Sequence, residues 1–128
     1  MTRILVVDDD DQVRAMLRMM LERAGYEVDE APNGRVAIDR HRATPADLIV
    51  LDILMPEMEG VETMLTMRRQ DPAVKIIAIS GGGRVSPQTY LDSAQKLGAR
   101  KTFTKPVDRE ELLQGIRELL AEPAQPTP

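Results

Sequence analysis

Acidic side chains are concentrated directly after a short apolar run near the start of the chain. Residues 4–7 are Ile-Leu-Val-Val, and four consecutive aspartates, Asp8 to Asp11, follow them. At an effective dielectric constant near 20, two like charges about 4 Å apart repel each other by about 4 kcal/mol. A rigid cluster of these carboxylates therefore needs a compensating cation. Asp52 directly follows a second apolar run, residues 48–51.

Two other polar groups also follow candidate strands. Ser80 comes after the run 76–79 and is followed by Gly81 and two more glycines, which leave backbone N–H groups open to an anion. Lys105 comes after residues 101–104 and precedes Pro106. A carboxylate, a divalent cation, a hydroxyl and an ammonium around one crevice are typical of a phosphoryl-transfer site with an aspartyl nucleophile. Each of these groups is common in proteins, so the assignment depends on whether the fold brings all four to one place.

The apolar runs predict the strands that would do so. Continuous hydrophobicity over 4–7, 48–51 and 76–79 is typical of central strands that are covered on both faces. Residues 27–30 and 101–104 mix polar and apolar side chains and are predicted to be edge strands.

Helical patterns separate these strands. The first runs from Val13 to a C-terminal cap at Gly25, and Asn33 caps a second. A third spans about 60–69, a fourth lies between Ser86 and Gly98, and a fifth begins at a capping box at Asp108. This alternation predicts an α/β fold of the flavodoxin-like, doubly wound (βα)5 type, with a five-stranded parallel sheet in the order 2-1-3-4-5.

The strand order also predicts the position of the site. In open α/β sheets, ligands bind beyond the carboxyl ends of the strands at the switch point, here between strands one and three. Asp8, Asp9 and Asp52 would meet there as an all-oxygen site that suits Mg²⁺. Asp10 and Asp11 are interpreted as acids that cap the first helix.

Composition limits the possible functions. The 128 residues are 42% hydrophobic and 30% charged, with a formal net charge of −4, which fits one globular domain and disfavours binding to nucleic acid or an anionic membrane. The chain contains no cysteine and no apolar run long enough for a membrane span, so we expect a cytoplasmic protein. The expected domain covers 1–121, followed by a flexible proline-rich tail at 122–128. His41 is expected to be a solvated helix-end residue.

Four ordered segments, "ILVVDDD", "LIVLDILMPEMEG", "IIAISGGG" and "GARKTFTKP", resemble the signature segments of the receiver domain of two-component response regulators. The resemblance implies that Asp52 accepts a phosphoryl group from a histidine kinase or histidine phosphotransferase. It further implies that Mg²⁺ is bound by Asp9, Asp52 and the backbone carbonyl of Leu54, with Asp8 acting through water. Ser80 would hydrogen-bond the phosphoryl group beside Gly81, and Lys105, before a cis proline, would pair with it.

A receiver domain acts as a switch, so the resemblance implies no enzyme activity beyond the domain's own phosphorylation and dephosphorylation. Phosphorylation would change a surface made by the fourth helix, fifth strand and fifth helix, about residues 87–120, which then contacts a downstream protein target. The chain departs from the family at Thr102, where an aromatic switch residue is frequent. Phe103, one position later, is expected to be a core residue.

Two other functions are compatible with parts of the sequence. "DDDQV", residues 9–13, also fits the motif of haloacid-dehalogenase-like phosphohydrolases, in which Asp9 would be the nucleophile. A receiver-like module that binds a partner without being phosphorylated is the other.

Overall fold

Five parallel strands form one sheet in the order β2-β1-β3-β4-β5 in a computed structural model that describes residues 2–53, 59–80, 95 and 98–123. The strands are β1 (Arg3–Val7), β2 (Glu27–Ala31), β3 (Leu48–Asp52), β4 (Ile76–Ser80) and β5 (Lys101–Thr104). The helices of the described ranges are α1 (Asp11–Arg23), α2 (Gly34–Ala43), α3 (Glu59–Gln70) and α4 (Arg109–Ala121). The predicted flavodoxin-like sheet, with three central and two edge strands, is confirmed. The predicted helix between Ser86 and Gly98 lies almost entirely outside the described residues.

The three central strands, β1, β3 and β4, are buried on both faces of the sheet. Successive side chains of a strand point to opposite faces, so each central strand contributes to the core on both sides. In β1, Leu5 and Val7 belong to a core cluster with Met64 and Met67 of α3. Ile4 and Val6 belong to a second cluster, which contains side chains from α1 and α4. Helices therefore cover each face, which explains why the central strands consist of continuous apolar runs.

The exposed edge of the sheet at β2 is protected by charged side chains. Glu27 accepts a hydrogen bond from Arg3, and Arg18 of α1 pairs with Glu30 at 2.6 Å. On the other side of the strand, Asp29 pairs with Arg40 of α2 at 3.2 Å. These ion pairs attach the edge strand to its neighbours and discourage pairing with another chain.

Local signals in the sequence explain where the helices begin and end. Asp10 is the N-cap of α1 and accepts hydrogen bonds from Gln12 and Val13. Asn33 caps α2, as predicted. Asp108 caps α4, which is the helix predicted from the sequence as the fifth. Gly25 follows the end of α1 with a φ of 97°, a conformation that glycine adopts without a steric penalty.

The expectation for His41 is wrong. The side chain is buried, with its Nε2 3.0 Å from an oxygen of Asp71, and its Nδ1 accepts a hydrogen bond from the backbone N–H of Ala46. This contact ties the end of α2 to the loop between α3 and β4. Flanking arginines in the sequence suggested a solvated position, but the ring folds inward toward a partner 30 positions away.

Candidate functional site

The strand register brings the predicted acidic residues to one end of the sheet. Val7 of β1 is aligned with Leu51 of β3, so that Asp8 and Asp52 follow neighbouring positions on adjacent strands. The carboxylates of Asp8, Asp9 and Asp52 each offer an oxygen, and these oxygens all lie within 4.8 Å of one another. The predicted convergence of the three acids is therefore confirmed. Asp8 and Asp52 are buried, whereas Asp9 is exposed.

Lys105 lies at the same end of the sheet. Its Nζ is 2.8 Å from Oδ2 of Asp8 and 3.1 Å from Oδ2 of Asp52. The backbone N–H of Lys105 donates to the carbonyl of Ser80 at 2.8 Å, which continues the pairing of β5 with β4 beyond the last strand residue. The peptide bond between Lys105 and Pro106 is cis, as the resemblance implied.

The charges around Lys105 stabilise its protonated form. Burial of the ammonium lowers its pKa, but the hydrogen bond to Asp8 and the negative charges of Asp52 and Asp8 outweigh this effect, so that the pKa of Lys105 lies above its ordinary value of 10.5. A lysine held in the charged form can bind an anionic group that arrives at Asp52.

Ser80 is a buried polar residue at the end of β4. Its hydroxyl has no hydrogen-bond partner among the residues that the structure describes. A buried hydroxyl without a partner is unfavourable and is uncommon in folded proteins. The orphaned group, beside Asp52 on the adjacent strand, is therefore suited to a ligand that accepts or donates a hydrogen bond there.

The four consecutive aspartates have different roles. Asp8 and Asp9 belong to the acidic cluster, and Asp10 caps α1. Asp11 is the first residue of α1, and its side chain is 86% exposed and paired with Arg14. The interpretation of Asp10 and Asp11 as helix-start acids is thus confirmed. Asp11, the second acid of the phosphohydrolase motif, is therefore exposed at the start of α1 and is not a member of the acidic cluster.

The donor set fits a divalent cation. Three carboxylates and one ammonium carry a formal charge of −3 + 1 = −2, which one divalent ion would neutralise. Every side-chain ligand atom of the cluster is a carboxylate oxygen, the kind of ligand that Mg²⁺ and Ca²⁺ prefer. Two predicted site residues, Leu54 with its backbone carbonyl and Gly81, lie outside the described residues.

A cavity of about 590 Å³ lies at the opposite end of the sheet and is lined by Thr2, Asp47 and Lys75 among others. These residues precede β1, β3 and β4, whereas ligands of such folds bind after the strands. We therefore place the candidate site at the acidic cluster.

Within the described ranges, no helix has the length and apolar character needed to span a membrane.

The structure is that of a flavodoxin-like α/β protein with an acidic cluster beyond the carboxyl ends of its strands, and comparison with known proteins identifies its family. The response regulator receiver domain family matches residues 4–117, so the chain belongs to the receiver domains of two-component response regulators. It is 35% identical to the chemotaxis protein CheY of Thermotoga maritima, over 91% of this chain and 96% of that protein. It is also 35% identical to the response regulator receiver protein CpdR of Brucella abortus, over 94% of this chain and 98% of that protein.

A solved structure agrees with this assignment. The structure of a CheY-like response regulator receiver domain protein from Methanospirillum hungatei superimposes with a TM-score of 0.83 at 30% identity, over 94% of both chains. The chain is thus a signalling domain of two-component systems, in which receiver domains interact with histidine kinases and downstream effectors.

Proposed function

We propose that the protein is a phosphoacceptor switch in which Asp52 receives a phosphoryl group from a phosphohistidine of a histidine kinase or histidine phosphotransferase. The observation that carries the proposal is the position of Asp52, buried at the end of β3, within 4.8 Å of the Asp8 and Asp9 oxygens and 3.1 Å from Nζ of Lys105. The membership of the receiver family supports the same role.

In the proposed transfer, a carboxylate oxygen of Asp52 attacks the phosphorus atom of the donor. The P–N bond to the donor imidazole breaks, and the imidazole leaves with the bonding electrons and is protonated. Hydrolysis of the resulting acyl phosphate by water would return the Asp52 carboxylate and release inorganic phosphate. Asp9, Asp52 and the carbonyl of Leu54 would hold Mg²⁺, with Asp8 acting through water. When bound, the ion would neutralise charge that develops on the phosphoryl oxygens.

The remaining side chains would recognise the product. The Ser80 hydroxyl, which has no partner in the described part of the chain, would donate to a phosphoryl oxygen beside the backbone of Gly81. Lys105 would exchange its contact with the Asp52 carboxylate for one with the phosphoryl group. Both movements would bias the segments that follow β4 and β5 toward a second arrangement.

We further propose that the output surface comprises about residues 87–120 and binds a downstream protein. Its described part contains β5 and α4. Phe103 of β5 is partly buried and packs against the core cluster shared with α4, so it lies at the margin of the core and not within it. Thr102, which replaces the frequent aromatic residue, lies next to it on β5. A mechanism based on rotation of an aromatic ring at that position is therefore not part of the proposal.

The division into a receiver domain at 1–121 and a tail at 122–128 stays a prediction. The end of α4 at Ala121 supports the boundary. Glu122, the first residue of the tail, is attached to the domain: its carbonyl accepts a hydrogen bond from Lys75 at 2.6 Å, and its carboxylate pairs with Arg100. Residues 124–128 of the predicted tail lie outside the described residues.

The function is tested by intact-mass measurement after incubation with a small acyl phosphate and Mg²⁺. We expect one added phosphoryl mass in the wild-type protein, and none with Asp52→Asn or with excess chelator. Asp47→Asn is a matched control, because Asp47 is an exposed aspartate at the other end of β3. Modification that persists in Asp52→Asn would overturn the proposal.

A further inference from the structure

Arg14 of α1 is held beside the acidic cluster by contacts that use three of its side-chain nitrogens. Its Nη1 donates to the backbone carbonyl of Asp8 at 2.7 Å. Its Nη2 donates to a carboxylate oxygen of Asp11, and its Nε donates to Glu30 of β2 at 3.3 Å. The Arg14 side chain is only 13% exposed, and its contacts with Asp8 and Glu30 are partly buried, whereas the Asp11 side chain is 86% exposed.

The contact with Asp8 acts on the peptide that leads into Asp9. The Asp8 carbonyl belongs to the planar Asp8–Asp9 peptide unit, so a hydrogen bond that fixes the oxygen also restricts the orientation of that unit. On the other side of Asp9, the backbone N–H of Asp10 donates to Oδ1 of Asp8 at 2.9 Å. The backbone on both sides of the exposed Asp9 is therefore anchored, which limits the directions that its carboxylate can take.

Arg14 also carries a positive charge, which by itself would weaken the binding of a cation at the acidic cluster. A guanidinium close to the cluster disfavours a divalent ion, and its removal alone would tighten binding. The two carboxylates of Asp11 and Glu30 face this guanidinium and offset its charge. Since the guanidinium contacts the Asp8 carbonyl and not the Asp8 carboxylate, its geometric effect on the cluster remains while much of its electrostatic effect is offset.

We propose that Arg14 is a positioning residue for the divalent-cation site, acting through the Asp8 carbonyl to orient Asp9. The inference rests on the proposed function in one respect, namely that the cluster binds Mg²⁺ in the receiver switch. Arg14 was not singled out by the sequence, in which its spacing of three residues from Asp11 is the only signal.

The test is the affinity of the unphosphorylated protein for Mg²⁺, measured by isothermal titration calorimetry. We expect Arg14→Met to weaken binding about tenfold, as is typical when a group that orients metal ligands is lost. Arg14→Lys keeps the charge but lacks the fork of donors that spans three acceptors, so we expect a similar loss. Arg18→Met is the matched control, because Arg18 lies one turn further along α1 and also pairs with Glu30. Its affinity for Mg²⁺ should equal that of the wild-type protein.

A second readout separates positioning from loss of folding. Far-UV circular dichroism and urea unfolding without Mg²⁺ identify the variants that remain folded. If Arg14→Met does not fold, the affinity of Arg14→Lys for Mg²⁺ is compared with that of the wild-type protein instead. In the folded variants, modification of Asp52 by an acyl phosphate should slow at low Mg²⁺ and recover at saturating Mg²⁺. An effect of charge alone would instead leave Arg14→Lys like the wild type and tighten binding in Arg14→Met.

Equal or tighter Mg²⁺ binding by both folded Arg14 variants would overturn the proposal. Wild-type protein that binds Mg²⁺ but is not modified at Asp52 would overturn the proposed function, while the comparison of affinities would still decide the role of Arg14. Wild-type protein that does not bind Mg²⁺ would overturn both.

Discussion

Neutralising Asp9 should raise the stability of the metal-free protein. At the limiting separation of 4.8 Å and the dielectric constant of water, each pair of carboxylates repels by about 0.9 kcal/mol. Asp9 faces two such charges, and the nearby ammonium of Lys105 offsets about one of them. Because Asp9 is exposed, the dielectric constant of water is the appropriate limit. We therefore expect Asp9→Asn to increase the free energy of unfolding by about 1 kcal/mol without Mg²⁺.

Mg²⁺ should reduce and then reverse the stability difference between Asp9→Asn and the wild-type protein. A ligand that binds only the folded state stabilises it by RT ln(1 + [L]/Kd), or about 1.4 kcal/mol at ten times Kd. If the loss of one carboxylate weakens binding about tenfold, the variant gains only about 0.4 kcal/mol at the same concentration. The advantage of Asp9→Asn should thus vanish near ten times the wild-type Kd, and the wild-type protein should be more stable above it.

Urea unfolding followed by circular dichroism measures both effects, with chelator or with increasing Mg²⁺ at constant ionic strength, because salt screens exposed charges. Asp39→Asn is the control, since it removes an exposed carboxylate on α2 outside the cluster. A destabilised Asp9→Asn protein in chelator, or an equal response of both proteins to Mg²⁺, would refute the account of the acidic site.

Three other substitutions test separate parts of the structure. Lys105→Met leaves the buried carboxylates of Asp8 and Asp52 without their ammonium, so urea unfolding of the metal-free protein should show a loss of about 2 kcal/mol. Modification by an acyl phosphate should also slow, and unchanged stability would contradict the ion pairs. Ser80→Ala removes a buried hydroxyl that has no hydrogen-bond partner among the described residues, so stability should stay equal or rise by up to about 1 kcal/mol while modification slows. A clear loss of stability would contradict this account of the hydroxyl. Gly60→Ala would place a Cβ against the backbone of Ile53, and we expect the free energy of unfolding to fall by about 2–3 kcal/mol. A fall of less than about 1 kcal/mol would contradict this tight contact.

The fold and the main site residues could be predicted because they depend on order along the chain. Apolar runs define the strands, alternation with helices makes the sheet parallel, and the strand order places Asp8, Asp9 and Asp52 together. Lys105 follows for the same reason, since the carboxyl ends of parallel strands share one edge.

Side-chain contacts across the fold could not be predicted in this way. The inward turn of His41 depends on Asp71, and the reach of Arg14 to the Asp8 carbonyl depends on the direction of a long side chain. No periodic pattern encodes either contact. Burial of the Ser80 hydroxyl likewise becomes apparent only after the neighbouring strands are packed.

The most direct test of the central claim is to locate the phosphoryl group. After reaction with an acyl phosphate and Mg²⁺, borohydride reduces an aspartyl phosphate to homoserine, and peptide mass spectrometry identifies the changed position. We expect homoserine at Asp52 and at no other aspartate, and only when Mg²⁺ was present. Homoserine at Asp9, as the phosphohydrolase alternative requires, would contradict it.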